Sequence, residues 1–229
     1  MGGWIGMSER LLYQMPFCPF SRKIAFGLFE KGVPVTPVME RTWKPSRLLL
    51  QLNPSAELPV FQDGPLVCWN DYTACEYIED VYATPQLMGV EAFDRLEARK
   101  IMSWFDRIFY HDVYMTLFYE RALKRAIAQS GPDTSVLKTG RSMLRKHMTY
   151  VSTLADRYSY IAGSTFSWAD ITVASHLSCI DYLGEIAWDD FPMAQEWYLK
   201  IKSRPAFRSF LMQTFPGLAP VPHYSLLDF

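Results

Sequence analysis

The sequence predicts an α/β domain followed by an all-helical domain. Two observations carry this. Short apolar strand signals alternate with helical ones as far as Trp69, and beyond Thr84-Pro85 strand signals vanish while three- and four-residue apolar spacing continues. The expected division is residues 1–83 for the α/β domain, 84–89 for a linker, 90–215 for the helical domain and 216–229 for a tail.

Arg10 to Gln14 reads as a buried strand, and Pro16 and Pro19 then forbid continued pairing and set a turn. Ile24, Ala25, Leu28 and Phe29 place a helix from Ser21 until Gly32 stops it. Val35 to Met39 is a second strand, put at a sheet edge by Pro37. Ser46 to Leu52 is a short helix ended by Asn53-Pro54. Leu58–Gln62 and Pro65–Trp69 form a hairpin in which Asp63-Gly64 supplies the positive φ of a tight turn. Asn70 or Asp71 then caps a helix through Tyr77, Ile78 and Val81. A crossover helix after the first strand makes this an α/β layer with a mixed four-stranded sheet. Further helices are expected over Glu91–Ala128, Asp133–Tyr158, Trp168–Leu183, Met193–Ser203 and Ala206–Phe215.

A hydrophobic share of 49% and an aromatic share of 15% imply a compact core. The formal net charge of -1 gives no global attraction to nucleic acid or anionic membrane, so a charge-driven partner needs a local patch. Cys18, Cys68, Cys75 and Cys179 share no repeated spacing, which argues against a disulfide framework and for a reducing, cytoplasmic setting. His111, His147, His176 and His223 lack metal-ligand spacing and read as structural, so no metal is expected. Met1–Met7 is too short and lacks the positive flank of a signal peptide; it reads as a ragged start with Met7 an alternative initiator. No apolar run suits membrane insertion.

Cys18-Pro19-Phe20-Ser21 lies between a strand and a helix, where thioredoxin-like folds place their redox sulfur. Backbone N–H groups and the helix dipole stabilise a thiolate there, and Arg22 and Lys23 add positive charge. Cys18 is therefore a candidate low-pKa nucleophile; the competing reading is an inert thiol kept by packing. With Ser21 in the place of a second cysteine, a mixed disulfide with a small thiol such as glutathione is the natural chemistry. Leu58-Pro59-Val60 is the second feature. A cis bond there would turn the Val60 backbone outward to pair with a peptide, against the plainer reading of a strand-opening proline. Third, Asn70-Asp71 heads a helix whose free N–H groups suit a ligand carboxylate, unless Asp71 caps the helix itself.

The segments CPFSRKIAFGLFEKG, NPSAELPVF and NDYTACEYIEDVY, in this order, resemble the N-terminal domain of the glutathione transferase superfamily. Ser167 and Asp170 in STFSWADIT have capping-box spacing and resemble that superfamily's buried helix cap. The resemblance implies a thioredoxin-like N-terminal domain, an all-helical C-terminal domain, a homodimer, and glutathione as cosubstrate. It places Cys18 or Ser21 near the glutathione sulfur, Leu58, Pro59 and Val60 beside the peptide backbone, and Asn70 and Asp71 at the γ-glutamyl end. One departure stands out. The family usually has serine where Asp71 sits; aspartate removes a donor and adds like charge, at a cost on the order of 1–3 kcal/mol.

A narrower resemblance rests on Ala174–Gly184, Trp188–Asp190, Trp197-Tyr198, Lys202–Pro205 and the ending PHYSLLDF. These are similar to an alphaproteobacterial, glutathione-transferase-like cell-division family that binds FtsZ filaments and promotes constriction. This implies an adaptor, weakly catalytic or noncatalytic; the alternative is a glutathione-dependent transferase or thiol transferase using Cys18. The residues proposed to face a partner are Trp43, Arg121, Lys124, Arg125, Asp228 and Phe229. Three questions stay open: whether the basic cluster, with Arg141, Arg145 and Lys146, meets an acidic partner or is a solvated face; whether the tail docks on a partner or on its own domain; and whether Trp43 is an exposed anchor or a core-edge residue.

Overall fold

The computed structural model describes residues 9–128 and 130–227, so Met1–Met7, Asp228 and Phe229 lie outside it. The chain forms two compact units that divide between Pro85 and Gln86.

In the first unit, β1 (Arg10–Gln14), β2 (Thr36–Met39), β3 (Val60–Asp63) and β4 (Leu66–Trp69) form one sheet in the order β2-β1-β3-β4. The β1–β2 pair is parallel, with Leu12 opposite Pro37, and the other two pairs are antiparallel. Pro37 thus lies on an edge strand, where its missing donor is tolerated. Helices α1 (Pro19–Glu30) and α3 (Asn70–Val81) pack on each other, and α3 also covers β3 and β4. Leu12, Ile24, Leu28, Val60, Phe61, Ala74 and Ile78 form the core between them. The short α2 (Arg47–Leu52) is capped by the Ser46 side chain, which accepts from the Leu49 N–H at 3.0 Å, and buries only Leu49.

Two expectations are corrected here. Helix α1 starts at Pro19, not Ser21, with Cys18 as its N-cap, because proline at N1 loses no hydrogen bond. In the hairpin, Asp63 stays in the ladder opposite Leu66, and the turn is Gly64-Pro65 with Gly64 at φ 58°. The Asp63 carboxylate is held instead by Arg10, Tyr77 and Tyr82.

The second unit is helical. Helix α4 (Ala92–Ser103) runs into a π-helical stretch (Trp104–Leu123) and then α5 (Lys124–Ala128), followed by α6 (Thr134–Arg157), α7 (Trp168–Tyr182), α8 (Pro192–Lys202) and α9 (Pro205–Leu211). All of α7 is buried, as its apolar residues on every face require. Two of its hydroxyls bond back to the helix itself: Thr172 donates to the Trp168 carbonyl and Ser178 to that of Ser175. The α4 helix packs on α7, the π stretch on α6 and α7, and α6 on α8. At Gly140, a Cβ would lie 2.3 Å from Thr116 Oγ1, so only glycine lets α6 approach the π stretch this closely. Helix α9 ends at Leu211, not Phe215; the Phe215 N–H is taken by Tyr182 Oη at 3.0 Å. No helix among the described residues is long and apolar enough to cross a membrane.

Candidate functional site

Strand β1 delivers the chain to Met15, and the loop to Cys18 turns through Phe17 at φ 60°. A buried aromatic residue in this conformation is held by its surroundings: Cys18 N–H donates to the Met15 carbonyl at 3.1 Å, and the Arg22 guanidinium lies 4.0 Å from the centre of the Phe17 ring. The other non-glycine residues with positive φ among those described are Ala56 at 56° and Asn70 at 59°. Each stands within two residues of a segment singled out in the sequence: Cys18, Leu58-Pro59 and Asp71. Backbone strain is concentrated around these three segments.

Cys18 is buried, and burial pushes its thiol up from the ordinary range. The Ser21 hydroxyl and the N–H groups of Ser21 and Phe20 pull the other way, but the Asp71 charge adds to the rise. The expectation of a low-pKa nucleophile is therefore corrected. The cations meant to help are engaged elsewhere, Arg22 over Phe17 and Lys23 in an ion pair with Asp71. Ser21 is itself buried, and its hydroxyl accepts from the Met15 N–H at 3.4 Å.

The Leu58-Pro59 peptide is cis. Asn53, also buried, builds the preceding loop: its amide donates to the Glu57 carbonyl at 3.1 Å and accepts from the Ser55 N–H at 3.1 Å. Val60 was expected to offer a free pairing edge, and this too is corrected. It lies inside the sheet, opposite Tyr13 on one side and Trp69 on the other. The unpaired backbone is one step earlier: among the described residues, no hydrogen bond is made by the main chain of Leu58.

Trp69 stands at the N-cap of α3 with no side-chain cap, and within the first turn the Asn70 side chain accepts from the Thr73 N–H at 3.0 Å. Asp71 does not cap; its carboxylate pairs with the buried ammonium of Lys23. Sequence reasoning missed both Lys23 in this role and Asn53 as the loop's organiser. Lys23 was legible only as a charge near Cys18, and Asn53 only as a helix stop.

In the second unit Ser167 and Asp170 form the expected capping box. Asp170 is fully buried and accepts from the Ile161 N–H at 2.9 Å, the Ser167 N–H at 3.0 Å and Trp197 Nε1 at 2.9 Å. Most of the basic cluster is tied down internally. Arg121 and Arg141 share Glu185, at 2.6 and 2.7 Å, Lys124 pairs with Glu120 at 2.8 Å, and Arg145 with Asp190 at 3.0 Å. Arg125 is exposed and makes no ion pair among the described residues. In the first unit, Trp43 is half-buried.

The described part of the tail, up to residue 227, folds back on its own unit. Tyr224 is fully buried, edge-on to Tyr182 at 5.1 Å, and donates to the Phe210 carbonyl at 3.2 Å. Asp181, also buried, receives Trp188 Nε1 at 2.9 Å and His223 Nε2 at 3.0 Å, with Lys202 Nζ 3.8 Å away. Leu226 and Leu227 remain exposed beyond this anchor. Elsewhere on the unit, a groove of about 660 Å³ is lined by Lys100, Ser103, Trp104, Arg107, Ile108 and His111.

A mixed sheet with a strained cysteine loop, a cis-proline loop and a helix-capping loop, joined to a helical unit with a buried capping box, defines a glutathione-transferase fold. Residues 17–81 match the family model described as glutathione S-transferase, N-terminal domain, and residues 109–214 match glutathione S-transferase, C-terminal domain. The chain belongs to the glutathione S-transferase family. It is similar to FtsZ-localized protein A of Caulobacter vibrioides, with 39% identity over 96% of this chain and 99% of that one. The crystal structure of a glutathione S-transferase from Rhodospirillum rubrum is 41% identical with a TM-score of 0.93, over 96% of this chain and 100% of that chain. The structure of FzlA from C. crescentus is 39% identical with a TM-score of 0.93, over the same shares.

Proposed function

We propose that this chain is a glutathione-transferase-fold adaptor that binds FtsZ filaments in cell division, acting in the cytoplasm as a homodimer. The observation that carries the reading is the full-length similarity to FtsZ-localized protein A, at 39% identity over 96% of this chain. The raised thiol of Cys18 supports it, since a buried, protonated sulfur is a poor nucleophile at neutral pH. The proposed contacts are Trp43, Arg125, the ion-paired Arg121 and Lys124, and the tail end with Asp228 and Phe229. Exposed Phe93, Leu96, Trp104 and Ile108 along α4 and the π stretch suit a second copy, which a doubled mass by light scattering checks. The decisive experiment is cosedimentation with assembled FtsZ. Pelleting above that of an unrelated control supports the proposal, and pelleting equal to the control ends it.

A second reading is a glutathione-dependent transferase or thiol transferase using Cys18. The favouring observation is the unpaired Leu58 backbone, in a loop strained like the Cys18 loop and suited to a peptide's main chain. Cys18→Ser is expected to abolish glutathione-dependent thiol transfer, measured with a mixed-disulfide substrate. An unchanged rate excludes the mechanism.

A further inference from the structure

A hydroxyl whose proton is already donated can only accept, and the second unit lines a groove with two such hydroxyls and two carboxylates. The groove, of about 390 Å³, lies along the C-terminal half of α6 and the entry to α8. Helix α6 contributes Thr149, Ser152, Thr153 and Asp156. The entry to α8 contributes Asp190, Phe191 and Met193. Thr149 donates its hydroxyl proton to the Arg145 carbonyl at 3.0 Å, and Thr153 donates to the Thr149 carbonyl at 2.9 Å. Both oxygens therefore offer the groove lone pairs and no proton. Asp156 is exposed and makes no ion pair among the described residues. Asp190 meets Arg145 at 3.0 Å, but the two side chains are 46% and 68% exposed, so that pair is weak and open to exchange.

We propose that this groove receives an arginine side chain from a basic segment of a protein partner. The lining is rich in acceptors and carries negative charge. A guanidinium is its complement, a permanent cation with five donors and no acceptor. Its planar head suits two-point pairing with a carboxylate, here Asp156 or Asp190. Its methylene stem finds an apolar wall in Phe191 and Met193. The helix ends act in opposite directions, the C-terminal end of α6 favouring a cation and the N-terminal end of α8 disfavouring one. Each amounts to about half a charge, so the two offset and the full charges of Asp156 and Asp190 set the sign. A neutral apolar segment would leave the acceptors without donors, and an acidic one would meet like charge. The volume is at the small end of ligand sites, which suits one side chain and its neighbours rather than a large cofactor. This surface goes beyond the adaptor reading, whose basic contacts call for an acidic partner, and it is tested without FtsZ.

The test titrates a short capped peptide carrying two arginines into the full chain and follows backbone amide shifts by NMR. Saturable shifts are expected at Thr149–Asp156 and Asp190–Met193, and none with the same peptide carrying citrulline, the neutral isostere, in place of arginine. The double variant Asp156→Asn with Asp190→Asn is expected to weaken binding at least about ten-fold. Asp80→Asn, at an exposed acid of the first unit, should leave the affinity unchanged. If the double variant does not fold, Asp156→Asn alone is read, with a weakening of about three-fold or more expected. Absence of saturable shifts in the groove overturns the proposal, as does equal binding of the citrulline peptide or of a matching lysine peptide. A groove variant that binds as tightly as Asp80→Asn overturns it too.

Discussion

His147 shows how a single side chain can be assigned a protonation state from geometry. Trp104 Nε1 donates to its Nδ1 at 3.1 Å, so that nitrogen must carry a lone pair, and its Nε2 faces Asp112 at 3.1 Å. The ring is therefore neutral with its proton on Nε2, and a second proton would break the Trp104 contact. Burial holds its pKa below the ordinary histidine range although Asp112 pulls it up, and Lys146 adds to the lowering. Because the unfolded chain takes up this proton first, the residue's contribution to stability is complete above about pH 6.5 and is lost as pH falls through the lower folded value. The melting temperature is expected to drop between pH 7 and pH 5. His147→Gln, which keeps one donor and one acceptor, should flatten that slope; a slope unchanged in the variant would assign the loss to other groups.

At the scale of elements, the tail behaves as part of the helical unit rather than as an appendage. Val221 N–H donates to the Tyr182 carbonyl at 3.3 Å, Lys202 Nζ to the His223 carbonyl at 3.1 Å, and a Cβ on Gly184 would strike Val221 Cγ1. These contacts surround Tyr224, whose loss leaves a cavity between α7 and α9. Tyr224→Ala is expected to cost about 3 kcal/mol or more in a urea titration and to speed tryptic cleavage after Arg208. A cost below about 1 kcal/mol would mean that the tail is not anchored through this ring. The sequence marked the segment as proline-punctuated and apolar but left its dock open. That choice depends on Asp181, Tyr182 and Phe210, which only the packed helices bring together.

For the whole molecule, the near-zero net charge made any charge-driven partner a matter of local patches, and the structure thins the proposed patch. Arg121, Lys124, Arg141 and Arg145 already have carboxylates, whereas Arg125 stands exposed. Exposed pairs contribute little and are readily exchanged, yet a cation that makes no ion pair among the described residues has none there to give up on binding. Arg125→Glu is therefore expected to reduce the FtsZ-pelleted fraction more than Lys124→Ala does, with a stronger salt dependence in the parent than in the variant. Equal effects of the two substitutions would remove Arg125 from the proposed contact.

Elements were legible along the chain because they depend on neighbours three or four residues away. The spacing of Ile24, Leu28 and Phe29, the proline at position 37 and the Ser167–Asp170 box helped set the order of strands and helices, while the family came from the resemblance of whole segments such as CPFSRKIAFGLFEKG and NPSAELPVF. The chemistry was less legible because it depends on neighbours far apart in sequence. Nothing local pairs Lys23 with Asp71 across 48 residues, buries the Cys18 thiol, or moves the free backbone from Val60 to Leu58. Burial and counter-charge are properties of the packed interior, so tertiary structure alone decided which charges are available and which sulfur is quiet.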